Sequence, residues 1–221
     1  MHDDMSDARE EMIERQLIAR GIVEPRIIDA MRRVPREAFL RWGLREFAYA
    51  DESLPIEAEQ TISQPFIVAL MLAIAQLGPN DHVLEIGTGS GYAAAVLAEV
   101  VAVVDTIERL PQLAASAYNR LTSLGYDNVS VHVGDGTLGL PARGPFDAIL
   151  VTASGPVVPP ALCAQLKVGG RLVMPVGPNT ERQRLCRLVR YGDRTYYQEM
   201  LNFVRFVPLI GAQGWGGITE E

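Results

Sequence analysis

The chain has 221 residues, 48% of them hydrophobic and 21% charged, and a formal net charge of −7. That length supplies one large domain with a full core, and the composition is that of an ordinary globular protein. The acidic balance argues against a chain that grips a phosphate backbone through a basic face, and no uncharged apolar run reaches the ~18 residues a transmembrane helix needs.

The N-terminal stretch MHDDMSDAREEM is acidic and polar. It lacks the basic segment and apolar core of a signal peptide, so the expected compartment is the cytoplasm. Residues from about Ser6 to Arg20 predict an amphipathic helix, with Met12, Ile13, Leu17 and Ile18 at helical spacing and Gly21 as the stop. A second helix is expected from about Glu24 to Arg33, with Pro25 in its first turn. Val34 to Leu54 reads as irregular. After Gln60-Thr61-Ile62-Ser63-Gln64-Pro65, the apolar run Phe66 to Leu77 is too long for a strand and predicts a helix beginning at Pro65. On spacing alone, Ser63 reads as the N-cap of that helix.

From Gly78-Pro79-Asn80-Asp81 onward the chain alternates. Strands are expected at His82–Ile86, Val101–Glu108, Val129–Val133, Phe146–Thr152 and Arg171–Val176. Helices are expected between them at Tyr92–Val100, Leu110–Leu124 and Pro160–Leu166, the last stopped by Gly169-Gly170. This alternation predicts an α/β fold: a doubly wound, mostly parallel, Rossmann-like sheet with helices on both faces. Leu185–Tyr191 and Thr195–Val207, joined at Gly192-Asp193, predict an antiparallel hairpin at the sheet edge. Arg182, Arg184, Arg187, Arg190 and Arg194 alternate with other residues there like the solvated face of a strand. The Gly-rich tail from Gly211 to Glu221 predicts poor order. The whole reads as one domain: an N-terminal helical part over about 1–77, a core over about 78–180 and a hairpin with tail over about 181–221. Cys163 and Cys186 have no metal or redox spacing and read as reduced, partly buried thiols. His2, His82 and His132 are scattered and read as structural or surface residues.

The chemistry concentrates in Val83-Leu84-Glu85-Ile86-Gly87-Thr88-Gly89-Ser90-Gly91, where a strand runs into a turn with glycine at three alternate positions and then a helix. Such a loop at the carboxyl end of a parallel strand lets backbone approach a ligand. A dinucleotide fingerprint needs its third glycine at the position of Tyr92, and no Gly-Lys-Ser/Thr follows for a P-loop, so phosphate is a poor ligand here. Three acids fit another ligand. Glu85 precedes the loop and can orient it, reaching a ligand amine through water. Glu108 ends the next strand, where an acid can accept both hydroxyls of a ribose. Asp135, in Gly134-Asp135-Gly136, can face the exocyclic amine of adenine. The set suits a cationic sulfonium that carries an amine and an adenosine.

These residues resemble the class I S-adenosylmethionine-dependent methyltransferases. Gln60-Thr61-Ile62-Ser63-Gln64-Pro65 resembles the active-site signature of the protein-L-isoaspartate O-methyltransferase family. Later motifs of that family are similar to Gly134-Asp135-Gly136, Pro145-Phe146-Asp147-Ala148-Ile149, Gly169-Gly170-Arg171-Leu172-Val173 and Pro175-Val176-Gly177. The resemblance runs from the N-terminal helices to Arg205-Phe206-Val207-Pro208-Leu209 and covers nearly the whole chain.

It implies methyl transfer from S-adenosylmethionine, leaving S-adenosylhomocysteine, to the carboxylate of isoaspartyl residues. The ester can cyclise and reopen towards normal aspartate, so the implied role is repair, and the implied partners are damaged proteins or peptides. The implied cofactor residues are Glu85, Gly87, Thr88, Gly89, Gly91, Glu108, Asp135, Gly136 and Gln64. Thr61, Ile62, Ser63, Val207 and Leu209 are the implied substrate residues, with Ser63 holding the reacting carboxylate. Ala153-Ser154-Gly155 departs from the Ala and Pro run common in relatives, at the rim of the site. No metal, nucleic acid or membrane is expected, and the chain reads as a monomer or weak homo-oligomer.

Two rivals share the fold and one comes from another class. A base-methylating enzyme would present an Asn/Asp-Pro-Pro-aromatic motif where this chain has Val151-Thr152-Ala153-Ser154. A metal-dependent O-methyltransferase would need clustered Asp/Asn ligands. A non-catalytic module that binds the adenosyl ligand or an isoaspartyl peptide would be expected to have lost signature residues, and here the signature is intact.

Overall fold

A computed structural model describes residues 4–179 and 181–216; His2 and the last five residues of the Gly-rich tail lie outside them. The expected first helix begins as α1 (Asp4–Met12) and continues through a wider π turn (Ile13–Leu17) and a tighter 3₁₀ turn (Ile18–Arg20). It ends on Gly21 at φ 89°, in the left-handed region that glycine enters without a Cβ penalty. Helix α2 (Pro25–Arg33) follows with Pro25 in its first turn and Ile27, Ile28, Ala30 and Met31 buried. The irregular stretch holds two 3₁₀ turns, Arg36–Phe39 and Trp42–Phe47. Two short strands, β1 (Leu54–Pro55) and β2 (Thr61–Ile62), then pair antiparallel and fix the signature segment. Helix α3 (Pro65–Ala75) comes next. Its N-cap is Gln64, with no side-chain cap bond. The Ser63 cap reading therefore does not hold: the chain is still extended at Gln64, one residue later than a Ser63 cap requires.

The main sheet contains β3 (His82–Ile86), β4 (Val103–Glu108), β5 (Val129–Val133), β6 (Phe146–Val151), β7 (Leu166–Val176), β8 (Gln183–Arg190) and β9 (Tyr196–Val204). Its order is β5-β4-β3-β6-β7-β8-β9. The first five strands in that order run parallel, and β8 and β9 add antiparallel. Helices α4 (Tyr92–Ala98) and α5 (Pro111–Ser123) cross over between β3, β4 and β5, and the short α6 (Pro160–Ala164) lies between β6 and β7. Side chains alternate between two apolar layers. Val83 and Val104 pack with Met31, Leu72, Leu97 and Leu121. Leu84, Ile86 and Ile107 pack with Leu162, Leu172 and Leu209. Where both faces are covered at the centre, β6 reads as a nearly continuous apolar run, whereas β5 and β9 nearer the edges are only partly buried. No helix among the described residues is long and apolar enough to cross a membrane.

Two expectations need correction. Gly169-Gly170 does not stop a helix ahead of the strand. β7 already pairs at Leu166 with Phe146, and the glycines lie in an irregularity before Arg171 pairs with Ala148. Nor are the hairpin arginines a uniformly solvated face. Arg190 donates to the carbonyls of Ala164 and Leu166, and Arg187 to Gln76 and Glu199, so both are half-buried ties to neighbouring elements.

One polar cluster holds the β3–β4–β5 side of the sheet, whose crossover from β5 to β6 carries only a 3₁₀ turn (Gly136–Leu138). Asp105 in β4 is fully buried. It lies 2.7 Å from Nε2 of both His82 and His132 and 3.2 Å from Nε of Arg143. Burial alone would raise its carboxyl, but hydrogen bonds from these three partners outweigh it and hold the group below the usual range. The two histidines are thus structural. Asp105→Asn leaves a neutral group facing up to three donors, and is expected to lower unfolding free energy by roughly 3 kcal/mol, read by urea denaturation.

Candidate active site

The parallel sheet reverses its winding between β3 and β6, and a ligand crevice forms where strand order reverses in this way. At that point Thr152 N donates to Ile86 O at 2.9 Å, and Thr152 Oγ1 donates to Ile86 O at 3.0 Å and Gly87 O at 2.8 Å. Gly87 has φ 97°, and a Cβ on it would stand 2.5 Å from Thr152 Oγ1. Gly136 approaches from the other side, where a Cβ would lie 2.4 Å from Ile86 Cγ2. The loop therefore requires glycine at both places. Gly91, at φ 90°, begins α4, and its back packs near Ala117 and Leu121.

The acids occupy three different positions. Glu108 lines the crevice, its two carboxylate oxygens accepting from Gly89 N at 3.0 Å and Leu110 N at 3.1 Å. Those bonds fix the carboxylate at the rim and leave lone pairs for a diol. Glu85 is fully buried behind the loop. It accepts from Thr106 Oγ1 at 2.6 Å, Thr106 lies 2.7 Å from Thr88 Oγ1, and Glu85 Oε1 has no partner among the described residues. Burial, aided by the Glu108 charge and only partly offset by the Thr106 hydrogen bond, pushes Glu85 up to about 8. Asp135 caps the Gly136–Leu138 turn: Oδ1 accepts from Thr137 N and Thr137 Oγ1, and Oδ2 from Ala212 N at 2.7 Å. Although burial would raise it, these hydrogen bonds hold Asp135 below the usual range.

A larger groove of about 710 Å³ adjoins the crevice. It is lined by Ser63, Gln64, Phe66, Asn202, Phe203, Arg205 and Val207, among others. Thr61, Thr152 and Val207 line both cavities. Ser63 also lines a small pocket against Gly87, Thr88 and Gly89. It is half-buried, and its hydroxyl makes no hydrogen bond among the described residues. Arg20 in the groove is paired with Asp51 at 3.0 Å and stacks over the Phe66 ring, whereas Arg205 is exposed and has no ion pair among the described residues.

Most of the residues implied by sequence thus meet here, though not all in the same cavity. Gly87, Gly89, Glu108, Gly136, Val207 and Leu209 wall the crevice. Thr61 and Ser63 stand at its junction with the groove. Gln64 lies on the groove side, its amide donating to Asp51. Ile62 is buried beneath. Glu85, Thr88 and Gly91 support the loop from behind. Sequence reasoning missed Thr152 as a site residue. Its one local signal is its place just past the end of a strand expected beside the glycine loop.

A doubly wound sheet with this loop at its switch point, an acid ending the next strand and a capped acid after the third defines a methyltransferase of the adenosyl-sulfonium class. Comparison with known proteins narrows it. The family model for protein-L-isoaspartate(D-aspartate) O-methyltransferase matches residues 7–214. Among curated relatives, a protein-L-isoaspartate O-methyltransferase of Rhodopseudomonas palustris is 57% identical over 92% of this chain and 94% of its own. One from Pelobacter propionicus is 58% identical over 94% of this chain and 92% of its own. A solved protein-L-isoaspartate O-methyltransferase superposes with a TM-score of 0.85 at 31% identity, covering 93% of this chain and 67% of that one. This chain belongs to the protein-L-isoaspartate(D-aspartate) O-methyltransferase family.

The buried carboxyl makes a stability prediction. Unfolded, Glu85 titrates near 4.5; folded, near 8. Between those values the folded state binds more protons, so Glu85 costs stability as pH rises through that window. In the ligand-free protein, Glu85→Gln is expected to remove the dependence. Its melting temperature should gain on that of the unaltered chain steadily from pH 5 to pH 8, measured by calorimetry.

Proposed function

We propose that this chain transfers a methyl group from S-adenosylmethionine to the free carboxylate of L-isoaspartyl residues in damaged proteins and peptides, which starts their return to aspartate. The observation that carries the reading is the junction: Thr61, Thr152 and Val207 line both the crevice and the groove, so a ligand in one abuts a chain in the other.

The crevice fits the cofactor. Gly87, Gly89 and Gly136 line the crevice with bare backbone against which a flat adenosine can lie, and Glu108 presents a fixed carboxylate to a ribose. Glu85 Oε1, buried and without a partner among the described residues, lies behind the loop, where a cation in the crevice would favour its ionised form. Asp135, already holding Thr137 and Ala212, keeps lone pairs for an adenine amine. When bound, the cofactor supplies a methyl group made electrophilic by its sulfonium.

What remains for the protein is placement. An acceptor carboxylate with a pKa near 4 is ionised at neutral pH and needs no general base. That agrees with cavity walls that hold no histidine among the described residues, His82 and His132 being bound to Asp105. Ser63 then holds the carboxylate by hydrogen bonding and is no covalent nucleophile, since no histidine among the described residues lines its groove to activate the hydroxyl. Thr61 and Val207 confine the reacting end, and catalysis comes from orientation. Arg205, exposed and without an ion pair among the described residues, draws an anionic peptide into the groove. Cys163 and Cys186 are free thiols, which fits the reducing cytoplasm as the place of action.

Incubation with methyl-labelled S-adenosylmethionine should put base-labile label on an isoaspartyl peptide and none on its aspartyl counterpart; equal labelling of both would refute the acceptor. Ser63→Ala removes one hydrogen bond to a charged group. It should lower kcat/KM by roughly ten- to hundredfold with an unchanged melting temperature. Full activity in that variant would exclude Ser63 from the mechanism.

A further inference from the structure

The segment Val207–Ile210, which walls the crevice, follows β9 but joins no sheet strand. Two hydrogen bonds stitch it to Ser154, three residues beyond β6: Ser154 N donates to Val207 O, and Leu209 N to Ser154 O, both at 2.8 Å. The chain then turns, Gly214 N donating to Gly211 O at 3.0 Å, and comes back on itself, Trp215 N donating to Leu209 O at 2.8 Å. From that turn it reaches three separate elements. Ala212 N donates to Asp135 Oδ2 at 2.7 Å and Gln213 N to Thr137 Oγ1 at 3.0 Å. Gln213 Oε1 accepts from Ala161 N at 3.0 Å, at the start of α6. The Trp215 indole N–H donates to Ser154 O at 2.7 Å, the same carbonyl that holds Leu209. The glycines here are required by space: a Cβ on Gly211 would stand 2.1 Å from Asp135 Oδ1, and one on Gly214 2.3 Å from Leu209 O.

We propose that Trp215 and the Gly211–Gly214 turn are positioning elements of the active site, which clamp the crevice wall Val207–Ile210 to the Asp135 loop and to Ser154. Cofactor affinity and peptide capture therefore both depend on a tail that touches neither ligand. The wall bounds the crevice along its length and meets the groove at Val207, so loosening it degrades both cavities. The same carboxylate that anchors the tail, Asp135, is the one assigned to adenine, which ties the tail to that end of the crevice. This inference rests on the crevice holding the adenosyl ligand.

The test uses full-length protein with two variants: Trp215→Phe, which keeps a ring and removes the N–H, and Gly211→Ala, which pushes the turn off Asp135. Each is titrated calorimetrically with S-adenosylhomocysteine and assayed for kcat and KM on an isoaspartyl peptide. The loss of about one hydrogen bond, to a carbonyl in the first variant and to a carboxylate in the second, should weaken the Kd at least about fivefold and raise the peptide KM comparably, with kcat within about twofold. The chain has two tryptophans, so in a Trp42→Phe background Trp215 emission should also shift when S-adenosylhomocysteine is added. A tail that merely stabilises the fold would lower the melting temperature of both variants while leaving Kd and KM within twofold, and that result overturns the proposal. If the unaltered chain itself fails to bind S-adenosylhomocysteine, the assignment of the crevice fails first and takes the proposal with it.

Discussion

At the centre of the molecule β3 and β6 end side by side, with Thr152 Oγ1 only 2.8 Å from Gly87 O and no room between them for a β-carbon. Strand order reverses there, so no crossover helix covers the gap and the carboxyl ends of the strands stay open. Placing the glycine loop on one lip and Thr152 on the other makes a crevice that has bare backbone at Gly87, Gly89 and Gly136 and side chains such as Ile107, Val207 and Leu209 around it. A side chain on Gly87 would have to displace Thr152, whose hydroxyl is bonded to both neighbouring carbonyls.

Charge is laid out around that crevice in three grades of burial, each with a different consequence. Glu108 at the rim has each oxygen committed to one backbone amide, which fixes its direction without using up its capacity as an acceptor. Asp135 is spent partly on its own turn and partly on the tail. Glu85 is sealed behind the loop, where its ionised form is costly and a cation in the crevice would favour it.

The two ends of the chain complete what the sheet begins. The N-terminal part delivers Thr61 and Ser63 on a short paired strand and an extended link ahead of α3. The C-terminal part delivers Asn202–Val207 along the far side of the groove and Val207–Ile210 along the crevice. Arg184 helps set that second edge: it donates to the carbonyls of Met200 and Leu201 beside a register shift in the β8–β9 pairing. Both ends thus give the crevice and the groove their shape.

Much of this was legible in the sequence because it rests on short-range regularities. Strand His82–Ile86 and strand Val129–Val133 fall where their apolar runs and flanking turns placed them, and Pro25, Pro65 and Gly21 mark helix ends by their own backbone limits. The glycine loop and Glu108 sit at consecutive strand ends, so their nearness follows from parallel topology alone. The Thr61-Ile62-Ser63 signature was legible by resemblance, and its place beside the loop became visible only in the fold. Other features had no local signal. Thr152 meets Gly87 across 65 positions, the tail reaches Asp135 across 77, and Asp105 gathers His82, His132 and Arg143 from three segments. Glycine content predicted poor order for the tail because composition registers the freedom of a residue, whereas its described part is bonded in place and Gly211 and Gly214 are there for their small size. The sequence by itself determined which segments become strands and helices and what ligand chemistry the loop favours. Only the tertiary structure decided which distant residues close the crevice, because those contacts depend on how the strands are ordered in space.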